Sequence, residues 1–374
     1  MDIKKQLIEL SAMPASRTPV VSVYLDTHWQ DEHQRDRIRA FVVAGLVRAA
    51  DVEPAPQAED LRWIEERARA VATQAELGGV RGVGLLACAA VGLREVLSLR
   101  VPFTRAFVLA PRPCLRPLVE VLPAAAETLV VWMDVQHARL LPVGPEGLRE
   151  EVTLTGDVPG HHRRGGWAQL AQSRYRRHID VHRDRHLNAV ADAVGGLVHD
   201  LAVERIVLMG ETEVLEAFRE ALGPDVASRV VGTLPGSRHE AAADLANRAL
   251  ALAERAQAAA TVALVDEVLV DAAKHTRAVA GLAATLDAIG RGAVHQLYLL
   301  REFRQTGTEC EHCGLFQAAS APACPHCGQP TTVIELGEGA VRRVLGSGGD
   351  VVDVVGHAPL AGHDGMAARL RYTF

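Results

Sequence analysis

Short apolar runs rich in β-branched residues alternate along the chain with longer stretches in which charged and apolar positions recur at helical spacing. The first run, TPVVSVYLDT, carries Val20, Val21, Val23, Tyr24 and Leu25 and predicts a buried strand. Helical spacing follows from Asp36 to Arg48 and again from Asp60 to Leu77, after which RGVGLLACAAV, with Val83, Leu85 and Leu86, predicts a second strand. Pro111, Pro113 and Pro117 punctuate the next stretch and place a boundary near Ala124. Beyond it, LVVWMDVQHARLLPV reads as a hairpin whose first strand runs from Leu129 to Val135. The polar stretch TGDVPGHHRRGG, residues 155–166, has no apolar period and predicts an exposed loop. A long helix is predicted from Trp167 to about Asp200, then RIVLMG and RVVGTL as strands with FREALG helical between them. From Thr261 the pattern predicts a helical stretch through Ala288, the strand VHQLYLL, two close cysteine pairs, VVDVVG and a final RLRYTF. Together these elements predict a mixed α/β protein of three domains, 1–124, 125–260 and 261–374, with no repeat at a fixed period.

A length of 374 residues suits two to four domains, and 48% hydrophobic with 23% charged residues is a globular balance that argues against disorder. Lys and Arg total 40 against 46 Asp and Glu, so any nucleic-acid surface on this acidic chain is local. No stretch reaches the length of apolar residues that crosses a bilayer, and MDIKKQLIELSAMP lacks the apolar core of a signal peptide. A cytoplasmic address without a membrane partner is therefore expected.

Four of the six cysteines form two matching pairs, Cys310 with Cys313 and Cys324 with Cys327, each followed by a glycine, Gly314 or Gly328. Two such knuckles aim four thiolates at one ion, and a four-thiolate zinc site is closed to water, so the zinc read here is structural. Four buried thiols are the plainer alternative, one that leaves the matched spacing unexplained. His312 and His326 lie inside the knuckles and are expected to face solvent, while Cys88 and Cys114 read as structural.

The second signal is the stretch HHRRGGWAQLAQSRYRRHIDVHRDRH. Its helix has an apolar stripe at Leu187, Val190, Val194, Leu197 and Leu201. Carried backward, the stripe meets Asp184 or Arg183, Asp180, and Arg177 or Arg176, so the first half is expected to project from its domain. An arginine-rich projection led by two glycines suits RNA phosphates, and a solvated charged face is the competing reading. Trp167 at the tip either stacks on a base or folds back to anchor the loop. His178, His182 and His186 recur every four residues, a spacing that permits metal ligation, but Arg174, Arg177, Arg183 and Arg185 crowd them and favour RNA contact or solvation. No spacing ties Asp157, Asp180 or Asp184 to a nucleophile, and GSGGD near residue 346 lacks the Lys-Ser/Thr of a phosphate loop.

In this order of motifs the chain resembles the archaeal and eukaryotic peptide chain release factor family, which takes in the Pelota-like proteins and a bacterial branch that includes the hibernation factor Balon. TPVVSVYLDT resembles the family's opening strand, and RRGGWAQLAQSRYRR resembles the GGQ loop and arginine-rich helix of its middle domain. HDGMAARLRYTF resembles the end of the third domain, with Gly365, Leu370, Arg371 and Tyr372 at matching positions. The resemblance implies a release-factor-like arrangement whose third domain is of L7Ae type with the four-cysteine zinc knuckle inserted. It implies docking in the ribosomal A site against the rRNA of the peptidyl-transferase centre, with elongation factor Tu or another translational GTPase as a possible partner. The RNA-contacting set so implied is Arg163, Arg164, Gly165, Gly166, Trp167, Gln169, Arg174, Arg176, Arg177, Arg183 and Arg185.

Two departures shape the expected function. Trp167 stands where the family carries its catalytic glutamine, and an indole offers one N–H donor and no acceptor. The stop-codon motifs of the family's N-terminal domain are also missing from the first segment. The expectation is a hibernation factor that occupies the A site without reading a codon. A peptidyl-tRNA hydrolase or rescue factor using Gln169, and a zinc-stabilised tRNA- or RNA-binding stress protein, are the alternatives.

Overall fold

The structure, a computed structural model, describes residues 3–28, 33–73, 79–156, 169–319 and 321–373, with the side chains of 169–181 outside the description. The chain divides into two compact units, one formed by Met1–Pro123 with Ala258–Phe374 and the other by Ala124–Gln257.

In chain order the N-terminal segment contains helix α1 (Ile3–Ser11), strand β1 (Val20–Asp26), helices α2 (Gln34–Ala50) and α3 (Ala58–Thr73), strands β2 (Gly82–Cys88), β3 (Leu93–Leu99) and β4 (Ala106–Ala110), and the start of helix α4 (Arg116–Ala125). The sheet order is β3-β2-β1-β4, antiparallel throughout. The strand predicted from TPVVSVYLDT is central, with both faces covered, which is why it reads as an unbroken apolar run. Val21, Val23 and Leu25 pack with Val83, Leu85 and Ala87 against Ile38 and Val42 of α2 and Ile64 and Ala68 of α3. Gly45 permits this packing, because a Cβ there would stand 2.2 Å from the Phe107 ring of β4.

The unit of Ala124–Gln257 holds β5 (Thr128–Met133), β6 (His137–Gly144), β7 (Gly147–Leu148), β8 (Val152–Thr155), helix α5 (Gln169–Asp200), β9 (Arg205–Gly210), helices α6 (Thr212–Ala221) and α7 (Pro224–Ser228), β10 (Val230–Leu234) and the first half of helix α8 (Ala242–Ala273). The order is β10-β9-β5-β6-β7, with β8 also paired to β6. Strand alternation divides its apolar side chains between two faces. Leu129, Val131, Met133, Ile206 and Leu208 pack on Leu187, Val190, Val194 and Val198 of α5, whereas Val130, Trp132, Val207 and Met209 pack on Leu245, Ala246, Ala249 and Ala253 of α8.

The C-terminal segment adds β11 (Ala278–Ala280), α9 (Leu282–Gly290), β12 (Val294–Leu300), β13 (Thr306–Glu309), β14 (Phe316–Gln317), β15 (Thr332–Glu335), α10 (Leu336–Gly346), β16 (Asp350–Val354), α11 (Ala358–Ala361) and β17 (Met366–Leu370). One sheet runs β11-β17-β12-β16, and a second, β14-β13-β15, carries the cysteines at its end. The continuous helix expected from Thr261 through Ala288 is corrected here. Helix α8 ends at Ala273, His275 takes a positive φ of 52°, and Ala278–Ala280 pair with β17. Alanine suits helices, so composition concealed a strand that only its partner creates.

Within the first unit, Glu338 of α10 is partly buried and accepts from the backbone N–H groups of Leu115 (2.6 Å) and Arg116 (3.1 Å) at the start of α4. Arg116, itself buried, donates to the carbonyls of Phe303 (2.6 Å), Arg301 (2.8 Å) and Leu300 (3.2 Å). Burial raises the Glu338 carboxyl against the lowering effect of those two N–H donors. Replacing Arg116 with Met would remove three guanidinium hydrogen bonds at a cost of about 1–3 kcal/mol, since each carbonyl keeps a second donor, Arg304 at Arg301 and Phe303 and the Phe303 N–H at Leu300. The expected outcome is a clearly lower urea midpoint, and an unchanged midpoint would show that water replaces the guanidinium without penalty.

Candidate metal centre and nucleic-acid interface

The four cysteines converge. The Sγ atoms of Cys310, Cys313, Cys324 and Cys327 all lie within 4.8 Å of one another, with Cys310–Cys327 and Cys313–Cys324 each at 3.5 Å. A tetrahedral site with 2.3 Å metal–sulfur bonds has an S···S edge of about 3.8 Å, so the quartet fits such an ion. The two halves are built alike. Gly314 donates to the Cys310 carbonyl and Gly328 to the Cys324 carbonyl, both at 2.8 Å, while Cys310 donates to Leu315 and Cys324 to Gln329. The matching turns require φ of 75° at Gly314 and 71° at Gly328, a region a side chain would strain. Burial raises the Cys324 thiol, but hydrogen bonds from the Cys327 and His326 backbone and from neighbouring thiols bring it down to about 7, while the other sulfurs push Cys327 up to about 12 and Cys313 up as well. Binding of a cation by all four would therefore release protons. His312 and His326 are exposed, and among the described residues the cysteines are the cluster with metal-ligand geometry.

Helix α5 carries the other set. Its apolar stripe is as read from the sequence, with Leu187, Val190 and Val194 buried and Leu197 and Leu201 packed at the margin, and Val198 joins them. Arg163, Arg164, Gly165, Gly166 and Trp167 lie outside the described residues, as do the side chains of Gln169, Arg174, Arg176, Arg177 and His178. Gln169 is the first residue of the helix. Of the remaining arginines, Arg185 is exposed and Arg183 is half-exposed, 3.6 Å from the neighbouring Asp184.

His186 was read from sequence on the same face as His178 and His182, yet it is only 4% exposed. It packs against Gly156, where a Cβ would come within 2.8 Å of the imidazole, beside the turn of the β5–β6 hairpin. In that turn Asp134 accepts from the N–H of Gln136 and of His137, both at 2.7 Å, and lies 3.3 Å from His137 Nδ1. Burial lowers the His186 imidazole, opposed by its hydrogen bond to the His137 backbone and by the charge of Asp134. The sequence signal was available in part, since His186 directly precedes Leu187 at the start of the apolar stripe.

Residues 113–261 match the model of the bacterial archaeo-eukaryotic release factor family 10. The chain is similar to the archaeal translation termination factor aRF1, with 16% identity over 98% of this chain and 96% of that one at a TM-score of 0.28. It is similar to Saccharomyces cerevisiae Dom34, a translation termination-like factor that interacts with Hbs1, with 12% identity over 76% and 74% and a TM-score of 0.44. It is also similar to archaeal Pelota in a ribosome-bound assembly with ABCE1, with 16% identity over 99% and 94% and a TM-score of 0.42. No curated protein sequence matches the chain. Among the described residues no helix is long and apolar enough to cross a membrane.

Two measurements follow. Metal analysis of the purified chain should find one divalent ion, lost in Cys313→Ala, and a metal-free chain with intact fold would discount the quartet as ligands. A histidine whose folded pKa is lowered contributes stability at neutral pH that is lost as pH falls through its unfolded value of about 6.5. Hydrogen exchange in β6 and the second half of α5 should therefore accelerate between neutral pH and about pH 5 after correction for the intrinsic rate. His186→Phe should weaken that dependence, and an equal dependence in the variant would remove His186 as its source.

Proposed function

We propose that this protein is a ribosome-binding translation factor homologue that occupies the A site and reaches toward the peptidyl-transferase centre, acting as a hibernation factor without codon reading. One observation carries the reading: the segment matched by the release-factor family holds Gly165-Gly166-Trp167 ahead of a basic helix. The glycines and arginines suited to an RNA-lined channel are kept, while the position of the family's catalytic amide holds an indole with no acceptor. In this arrangement Arg163, Arg164, Arg174, Arg176, Arg177, Arg183 and Arg185 face rRNA and Trp167 lies near the catalytic centre.

The three-domain division is carried into this proposal, with an L7Ae-like third domain meeting a translational GTPase such as elongation factor Tu, in the cytoplasm. The metal is proposed to be zinc, held by four thiolates that leave no coordination position for water, so its role is to fold the ribbon. Hydrolysis through Gln169 is the second reading. The start of α5 at Gln169 weighs against it, because a residue in a helix is held differently from one at a loop tip.

The test is to pellet ribosomes that carry labelled peptidyl-tRNA in the P site and an empty A site after incubation with saturating protein. Protein in the pellet with the peptide still attached is the expected result. Release of the peptide would make the protein a hydrolase and direct attention to Gln169→Ala, and protein left in the supernatant would overturn the ribosomal assignment. Arg163→Glu with Arg164→Glu should abolish pelleting, and added salt should weaken it in the wild type, since phosphate contacts are lost as counterions compete.

A further inference from the structure

We propose that a metal ion held by the cysteine quartet also fixes the start of α4, so that its loss loosens the seat of the N-terminal segment on the C-terminal one. The inference rests on the reading of the quartet as a metal centre. The ribbon that carries the cysteines has little else to hold it. Its strands β13, β14 and β15 contain four, two and four residues, and among the described residues Phe316 is the one large apolar side chain that they bury. A sheet this small needs a staple, and four thiolates on one ion supply it.

Two charged routes lead from the cysteines to α4. The first starts at Glu309, which directly precedes Cys310 and is 4% exposed. Its carboxylate receives Arg342 and, at 3.3 Å, Arg343, both from α10. Arg343 also lies against Gly314 of the first knuckle, where a Cβ would overlap its guanidinium. Helix α10 in turn presents Glu338 to the N–H groups of Leu115 and Arg116. The N-cap of that helix, Glu335, is the last residue of β15 and lies 3.6 Å from Arg116. The second route is direct, since Glu311 inside the first knuckle lies 3.8 Å from Arg112, three residues before Leu115.

A groove of about 210 Å³ runs between residues 109–113 and residues 332–335, so the ribbon meets this stretch through charged side chains rather than through paired strands. Such contacts hold only while both partners stay in place, because removing one leaves an uncompensated charge. Glu309 and Glu311 flank Cys310, and their positions follow from where that cysteine is held. Once the knuckle opens, Arg342 and Arg343 lose their carboxylate, and the turn of α10 that offers Glu338 loses its support from the ribbon side. The second knuckle takes no part in either route, and its Pro325, His326 and Gly328 are exposed.

The test is hydrogen exchange of the full chain at one pH, read peptide by peptide with zinc bound and after chelation. Amides of residues 114–119 should exchange about tenfold or more faster without the metal, and added zinc should restore their protection, while β1 and β5 stay unchanged. Acceleration confined to residues 306–335 overturns the inference and leaves the metal centre standing, whereas a chain that purifies without metal overturns both. Where β1 accelerates as much as α4 the chain has unfolded as a whole, and Glu309→Gln then decides. That variant keeps all four cysteines, and with its metal content unchanged it should still quicken exchange at residues 114–119. Exchange there equal to that of the wild type overturns the coupling.

Discussion

The first unit depends on a buried guanidinium and a partly buried carboxylate where helix α4 begins. Arg116 places a cation in the first turn of that helix, where the backbone dipole is already positive, and this arrangement is unfavourable in isolation. Glu338 brings a carboxylate to that turn and closes two N–H groups that the helix leaves open, while the guanidinium donates to three carbonyls at and just after the end of β12 and lies 3.6 Å from Glu335. Glu338 itself sits in the first turn of α10, whose N-terminus is capped by Glu335. Neither charge is satisfied by its own segment. The N-terminal and C-terminal segments must therefore fold against each other before either ion can leave water without a large penalty.

The second unit rests on a different constraint, the period of two in its strands. Each central strand supplies side chains to two faces, so the sheet accepts α5 on one side and α8 on the other. The C-terminal half of α5 carries the apolar stripe that this demands, and the N-terminal half carries arginines. A single continuous helix thus joins a buried anchor to a basic stretch, and the rigidity of the anchored half fixes where the basic half starts. His186 stands at the transition, buried against Gly156 where the stripe begins.

The residues differ in how openly they declare their surroundings. The cysteine quartet was legible because ligand spacing is a local geometric requirement, and the strands Val20–Asp26 and Thr128–Met133 were legible because burial on both faces leaves an unbroken apolar run. Strand β11 was not, since three residues of alanine and valine fit a helix equally well until β17 offers hydrogen bonds. Helix α2 shows the reverse difficulty, because two opposed apolar stripes blur its helical period and only burial tells which one faces the core.

By itself the sequence determined the alternation of strands and helices, the matched cysteine pairs and the arginine-rich stretch after two glycines, all properties written within a few turns of chain. Tertiary structure alone decided that Glu338 would close the start of the helix that holds Arg116, more than two hundred residues away, and that His186 would turn inward while Val43 and Val47 remained outside. Those outcomes depend on which distant groups arrive to replace water, and no local pattern of residue types encodes that arrival.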